Sequence, residues 1–275
     1  MRRAGKGFII ISLIFFTAIA VLGFYFFLRT RSLPEVNAYA EIEHYSVVAK
    51  ENIASIQDAV GLQDDPAEYA TDIFTLKKFS FSHPESLKEW QELPLATKCT
   101  EYIAGEEDNA SCIKAVSEDS ASVLLRRQRL SVDANPVISW DWRVEEFPLR
   151  KEAESFDKKK DFDFAAQMYV IFPAKFFLDT RAMHYVWAQD VSVGTVATSP
   201  YTENIRIMVL ERGEPGKWKH EERNVREDYY KLFGEELKDD VEGVAFMTDS
   251  DSTDSRAVAY YRDITFSYKG KKSGN

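Results

Sequence analysis

Three stretches of this chain gather side chains able to do chemistry. In Thr248-Asp249-Ser250-Asp251-Ser252-Thr253-Asp254 every residue carries a side-chain oxygen. Alternate carboxylates on a tight loop suit a hard cation such as calcium, which takes about six to eight oxygens, so Asp249, Asp251 and Asp254 are the candidate metal ligands. The Gly and distal Glu of an EF-hand loop are missing, and a polar loop between two strands explains the run as well. In Ser139-Trp140-Asp141-Trp142-Arg143-Val144 a period of two puts the tryptophans and Val144 on one face, and Ser139, Asp141 and Arg143 on the other. The tryptophans read as core. The Asp141/Arg143 stripe reads either as a solvated face or as a sheet surface that hydrogen-bonds sugar hydroxyls. Tyr185, Trp187, Ser199, Tyr201 and Asn204 form the third group, around a loop marked by Gly194 and Pro200. Aromatic rings stack on a pyranose and amides bind its hydroxyls, and loops on a rigid scaffold are a common place for binding. A purely structural loop is the competing reading.

Enzyme signatures are missing: there is no GxSxG, no HExxH, no P-loop and no GxGxxG after a strand. A glycan-active hydrolase would need a carboxylate pair, for which Asp141, Asp161, Asp163 and Glu222 are available. With 45 acidic residues in 275, such a choice selects nothing.

The elements that must position these groups are strands. Eleven stretches, 72–81, 98–104, 111–117, 122–130, 137–144, 164–172, 182–188, 205–210, 218–224, 244–248 and 258–268, hold β-branched or aromatic residues bounded by Pro, Gly, Asp or Ser. That pattern predicts a mainly β domain over 69–268, a two-sheet, jelly-roll-like β-sandwich. One helix is expected at 225–232, with Asn224 as its N-cap and Gly234 as its stop. Before the domain, Val36, Tyr39, Ile42, Val47, Ile53, Ile56 and Val60 recur at roughly helical spacing, which predicts a juxtamembrane helix within 32–68. That helix either packs on the domain or serves as a stalk or partner-binding surface. Residues 7–28 are an uninterrupted apolar run reaching about 33 Å as a helix, enough to span a bilayer, so 1–31 reads as a membrane anchor. Cleavage at Ala18-Ile19-Ala20 is the alternative, but it would leave a greasy mature end. Residues 269–275 are a polar tail.

Charge is uneven. The whole chain carries −10, yet Arg2, Arg3, Lys6, Arg29 and Arg31 crowd the N-terminus, so from Ser32 onward 30 basic residues face 45 acidic ones. A body that acidic repels nucleic acid. Basic residues flank the apolar run on both sides, which makes the positive-inside rule nearly a tie. Cys99 and Cys112 lie on either side of the polar stretch Gly105-Glu106-Glu107-Asp108-Asn109, and a hairpin folded there predicts a disulfide, stable only outside a reducing cytosol. The expected placement is a bacterial inner membrane, with a cytoplasmic N-terminus and a periplasmic domain.

The segments ISWDWRVEEFP, DFAAQMYVIF, MHYVWA, GTVATSPYTENIRIMVL, WKHEERNVREDYYKLFGEE and GVAFMTDSDSTDSRAVAYYRDITF, spanning about 137–266, resemble an uncharacterised family of exported bacterial proteins, a domain of unknown function. The resemblance implies a fold similar to the jelly-roll sandwiches of carbohydrate-binding modules, and carries over no activity or site residue. The expected function is therefore binding of a ligand, most plausibly a glycan, by an anchored envelope protein. The alternative is an accessory subunit of a membrane complex, held through the lipid bilayer anchor and the juxtamembrane helix.

Overall fold

The computed structural model describes residues 73–160, 162–173 and 180–269. The expected anchor at 7–28, the juxtamembrane helix within 32–68 and nearly all of the polar tail lie outside them. Among the described residues no helix is long and apolar enough to cross a membrane.

Among the described residues, thirteen strands form two sheets. They are β1 (Ile73–Lys78), β2 (Gln91–Pro94), β3 (Glu101–Glu107), β4 (Ala110–Glu118), β5 (Ala121–Leu130), β6 (Pro136–Glu146), β7 (Ala166–Ile171), β8 (Ala182–Ala188), β9 (Val196–Thr198), β10 (Ile205–Arg212), β11 (Lys219–Asn224), β12 (Val241–Asp249) and β13 (Arg256–Lys269). The first sheet runs β11-β6-β13-β4-β3, with β1 also on β13, and the second runs β2-β5-β12-β7-β8-β10-β9. All pairs are antiparallel except β8 with β10. One helix, α1 (Val225–Phe233), interrupts the strands; the Asn224 side chain accepts from the Arg226 and Glu227 N–H groups, and Gly234 closes it at φ 74°. β2 and β9, at four and three residues, are too short to have registered as strands in the sequence.

Alternation along β6 sends Ile138, Trp140, Trp142 and Val144 inward, each with no exposed surface. They meet Tyr185, Trp187 and Met183 from β8, and Phe246 from β12, in one core. β13 needs a correction to keep its inner face apolar over fourteen residues. It carries an irregularity between Arg262 and Thr265, where Asp263 sits at φ 54°, so Tyr261 points inward before it and Ile264 and Phe266 after it.

The β3–β4 hairpin overturns the expected disulfide. Its turn is the two residues Asp108 and Asn109, at φ 52° and 59°, the left-handed pair that a tight hairpin favours. That turn sets the ladder so that Cys112 faces Gly105. Cys99 precedes β3, and both thiols are free. Six strand positions separate Cys99 from the residue opposite Cys112, about 20 Å along the strand, far beyond the reach of a disulfide.

Candidate functional site

The outer face of the first sheet brings together groups from four elements. Across it β6, β13 and β11 are in register, Arg262 opposite Asp141 and Asp141 opposite His220, while Tyr260 lies between Arg143 and Lys114. Asp141 accepts from His220 Nδ1 at 2.6 Å and from Arg262 Nε at 3.1 Å. Arg143 is 6% exposed and spreads its fork over the hairpin turn, 2.6 Å to Asp108 and 2.8 Å to Glu107. Burial works against its charge, but Glu107, Glu145 and Asp108 outweigh that and raise its pKa. Trp218, at the entry to β11, binds this network together. Its indole N–H donates to Asp108 Oδ2 at 3.0 Å, and its ring lies 3.9 Å from the Arg262 guanidinium and 5.2 Å from that of Arg143. Tyr260 meets it edge-on, with 6.2 Å between centroids, and Arg143 stands 4.3 Å over the Tyr260 ring. The Trp218 hydrogen bond, followed by Arg143, holds the Asp108 carboxyl below its ordinary value. Chemically this is a half-buried indole ringed by oriented guanidinium and carboxylate groups, on the outer face of an antiparallel sheet.

Asp141 and Arg143 therefore share one surface, as the alternation predicted. Trp218, Tyr260, Arg262 and His220 were not among the predicted site residues. Their signal was the period of two in Trp218-Lys219-His220 and in Tyr260-Tyr261-Arg262. Knowing that it mattered required knowing that β11 and β13 both flank β6.

The third predicted group is not brought together. All seven residues of β8 are buried, with Tyr185 and Trp187 in the core. Tyr185 donates to Asp228 of α1 at 2.7 Å, and the Trp187 indole donates to the Gly213 carbonyl at 2.7 Å. Neither ring is available to stack on a ligand. Ser199, Tyr201 and Asn204 lie in the β9–β10 connection and serve its geometry. Ser199 Oγ accepts from the Tyr201 N–H, the Tyr201 hydroxyl donates to the Lys159 carbonyl, and the Asn204 carbonyl accepts from the Ala182 N–H. A phenylalanine-rich segment between β6 and β7 covers the outer side of β8 and β10, so β8 is buried on both faces and its alternation carries no hint of which side is wet.

The aspartate-rich loop is only partly as expected. Asp249 and Asp251 come together with Asp163, not with Asp254, and one ligand atom from each of the three lies within 4.8 Å of the others. Asp254 is exposed, at φ 49° in the turn before β13. Asp163 is fixed by the Thr253 hydroxyl and N–H, both at 2.7 Å, and Asp249 accepts from the Phe164 N–H at 2.7 Å and Gln167 Nε2 at 2.8 Å. One Asp251 oxygen is buried without a partner. Burial, then the neighbouring Asp163, pushes Asp251 up to about 7, and burial with both neighbours raises Asp249 well above the usual carboxylate range. Three hard oxygens fit part of the shell of a divalent cation. Of the carboxylates considered for hydrolysis, Asp141 and Asp163 lie in different sites, the outer face of the first sheet and this cluster.

Fold and surface define a two-sheet β-sandwich with an aromatic, charge-paired outer face. The chain belongs to the family described as protein of unknown function (DUF3047), whose model matches residues 88–265. No curated protein matches it. Solved structures similar to it include the family 11 carbohydrate-binding module of the cellulosomal cellulase Lic26A-Cel5E of Clostridium thermocellum, at 9% identity over 75% of this chain and 99% of that one, with a TM-score of 0.38. The mannan-recognising module TmCBM27 is 9% identical over 72% of this chain and 99% of its own, at a TM-score of 0.32. Endoglucanase 3 of Trichoderma harzianum, from family GH12, is 8% identical over 74% of this chain and 100% of its own, at 0.35. Likeness at this level says nothing of what this chain binds.

Proposed function

We propose that this protein is a single-pass, membrane-anchored envelope protein whose extracytoplasmic sandwich binds a glycan on the outer face of the first sheet. The observation that carries the reading is the half-buried Trp218 ring, 3.9 Å from the Arg262 guanidinium and hydrogen-bonded to Asp108. A sugar ring presents an apolar face for stacking and hydroxyls that both donate and accept. Trp218 offers the first contact; Asp141 and Arg262 offer the second, already oriented and so with little ordering left to lose on binding, while the buried Tyr260 and Arg143 support them from below. The anchor is the apolar run at 7–28. With the cysteines apart, its orientation rests on charge alone: Arg2, Arg3, Lys6 and the amino group against Arg29 and Arg31.

A glycan array probed with the intact chain in detergent tests the proposal. Retention should fall at least about tenfold for Trp218→Ala, the loss of a central aromatic anchor, with the melting temperature within about 2 °C of wild type. Equal retention by wild type and variant would remove the glycan from this face.

A further inference from the structure

The outer face of the second sheet is apolar where it ought to be wet. Val123 and Leu125 of β5, Ala245 and Met247 of β12, Ile171 of β7 and Leu93 of β2 all point outward from the sandwich, form a cluster separate from the core, and are 1 to 8% exposed. They adjoin one another through the ladders, Leu93 opposite Val123, Val123 opposite Met247, and Leu125 opposite Ala245. The partly buried apolar residues that the described chain packs against this cluster are Ala96 and Tyr169, which belong to the same layer. The segment carrying Phe156, Phe162 and Phe164 covers β8 and β10 instead. In a two-layer sandwich one face of each sheet is expected to be polar. This one needs a third layer.

We propose that the stretch 34–60 of this chain is that layer, an amphipathic helix lying across β2, β5, β12 and β7 and seating the sandwich on its own membrane anchor. The lengths agree. From β2 to β7 the patch crosses four strands, about 14 Å at the usual strand spacing, and Ala182 and Ile205 at the starts of β8 and β10 carry it on to about 24 Å. Ile42, Ile53, Ile56 and Val60 mark an apolar stripe of about 27 Å at helical rise. Ala245 and Ala182 are small enough to let a helix axis come close. The tether also suffices: residues 61–72 reach about 40 Å when extended, and β1 starts at Ile73 on a sheet only about 10 Å away from the second.

The test uses the full-length protein in detergent micelles with Cys99→Ser and Cys112→Ser, and a single reporter thiol at Ala245→Cys. Its alkylation in the intact chain should be slow. Adding Ile53→Asp with Ile56→Asp, which changes no residue of the sandwich itself, should speed it at least tenfold while the far-ultraviolet spectrum of the β domain is retained. A reporter that alkylates freely without those two changes overturns the proposal. So does one that stays protected with them; protection that then falls on dilution would assign the face to a second copy of the chain. None of these outcomes bears on glycan retention at Trp218, which stands or falls separately.

Discussion

Truncating Trp187 should cost far more than truncating Trp218, although Trp187 was the one expected from the sequence to stack on a sugar. Trp187 has no exposed surface, packs 5.8 Å from Trp142 and spends its only donor on Gly213. Trp187→Ala should therefore leave a cavity worth about 3 to 5 kcal/mol, a fall on the order of 10 °C in melting temperature for a domain of this size. Scanning calorimetry on the two alanine variants side by side measures the difference, and an unchanged midpoint for Trp187→Ala would contradict its place in the core. The same contrast separates Asp249 from Asp254, which sit five residues apart in one acidic run. One is buried in hydrogen bonds and the other is exposed in a turn.

At the scale of elements, a two-residue turn decides the fate of the cysteines. Had the hairpin folded between Gly105 and Glu106, Cys99 and Cys112 would have faced each other. Asp108 and Asn109 tolerate the left-handed backbone that a tight hairpin needs, and they move the turn three residues onward. Both thiols of freshly purified, denatured protein should thus alkylate without reductant. In the native protein Cys99, exposed, should react first, because burial pushes the Cys112 thiol up to about 11. Recovery of a species with neither thiol reactive until reductant is added would restore the disulfide and displace this register. The same turn delivers Asp108 to Arg143 and Trp218, so it also builds one wall of the proposed binding face.

For the whole molecule, buried titrating groups predict stability that falls as pH rises from about 5 through about 7. Asp249, Asp251 and Glu221 have raised pKa values, Glu221 at about 7 through burial and the nearby Glu211. They are protonated in the fold and ionised in the unfolded chain, so their contribution is present below the ordinary carboxylate range and lost as pH rises through about 7. His184 works in the other direction. Burial holds it down to about 3, it bonds Gln167 at 2.9 Å, and its contribution is present above about 6.5 and lost as pH falls. Because three carboxylates outnumber one imidazole, melting temperatures should fall as pH rises from about 5 to about 7, and Asp249→Asn should flatten that fall. A midpoint that rises from pH 6.5 to 8.5 contradicts the buried, ionisable cluster. Calcium added at pH 8.5 decides what relieves it: a gain abolished by Asp249→Asn makes these carboxylates ligands, by mass action on the native state, and no gain leaves protons alone in that role.

Local pattern was enough for the β class, for eleven of the strands to within a few residues, for α1 with its two caps, and for the shared face of Asp141 and Arg143. Those properties depend on near neighbours, because a side chain's direction along a strand repeats every two residues. Partners across a sheet are another matter. Nothing within Trp218-Lys219-His220 states that β11 lies beside β6, and nothing between Thr248 and Asp254 points 85 residues back to Asp163. The period of two likewise sorts the residues of β8 into two faces but cannot say that both are covered, since that depends on Phe156, Phe162 and Phe164 arriving from another stretch of chain. Contacts between residues distant in sequence form only when the strands assemble, and the Trp218 face and the acid cluster are both contacts of that kind, whereas the separation of the cysteines follows from the local turn at Asp108 and Asn109.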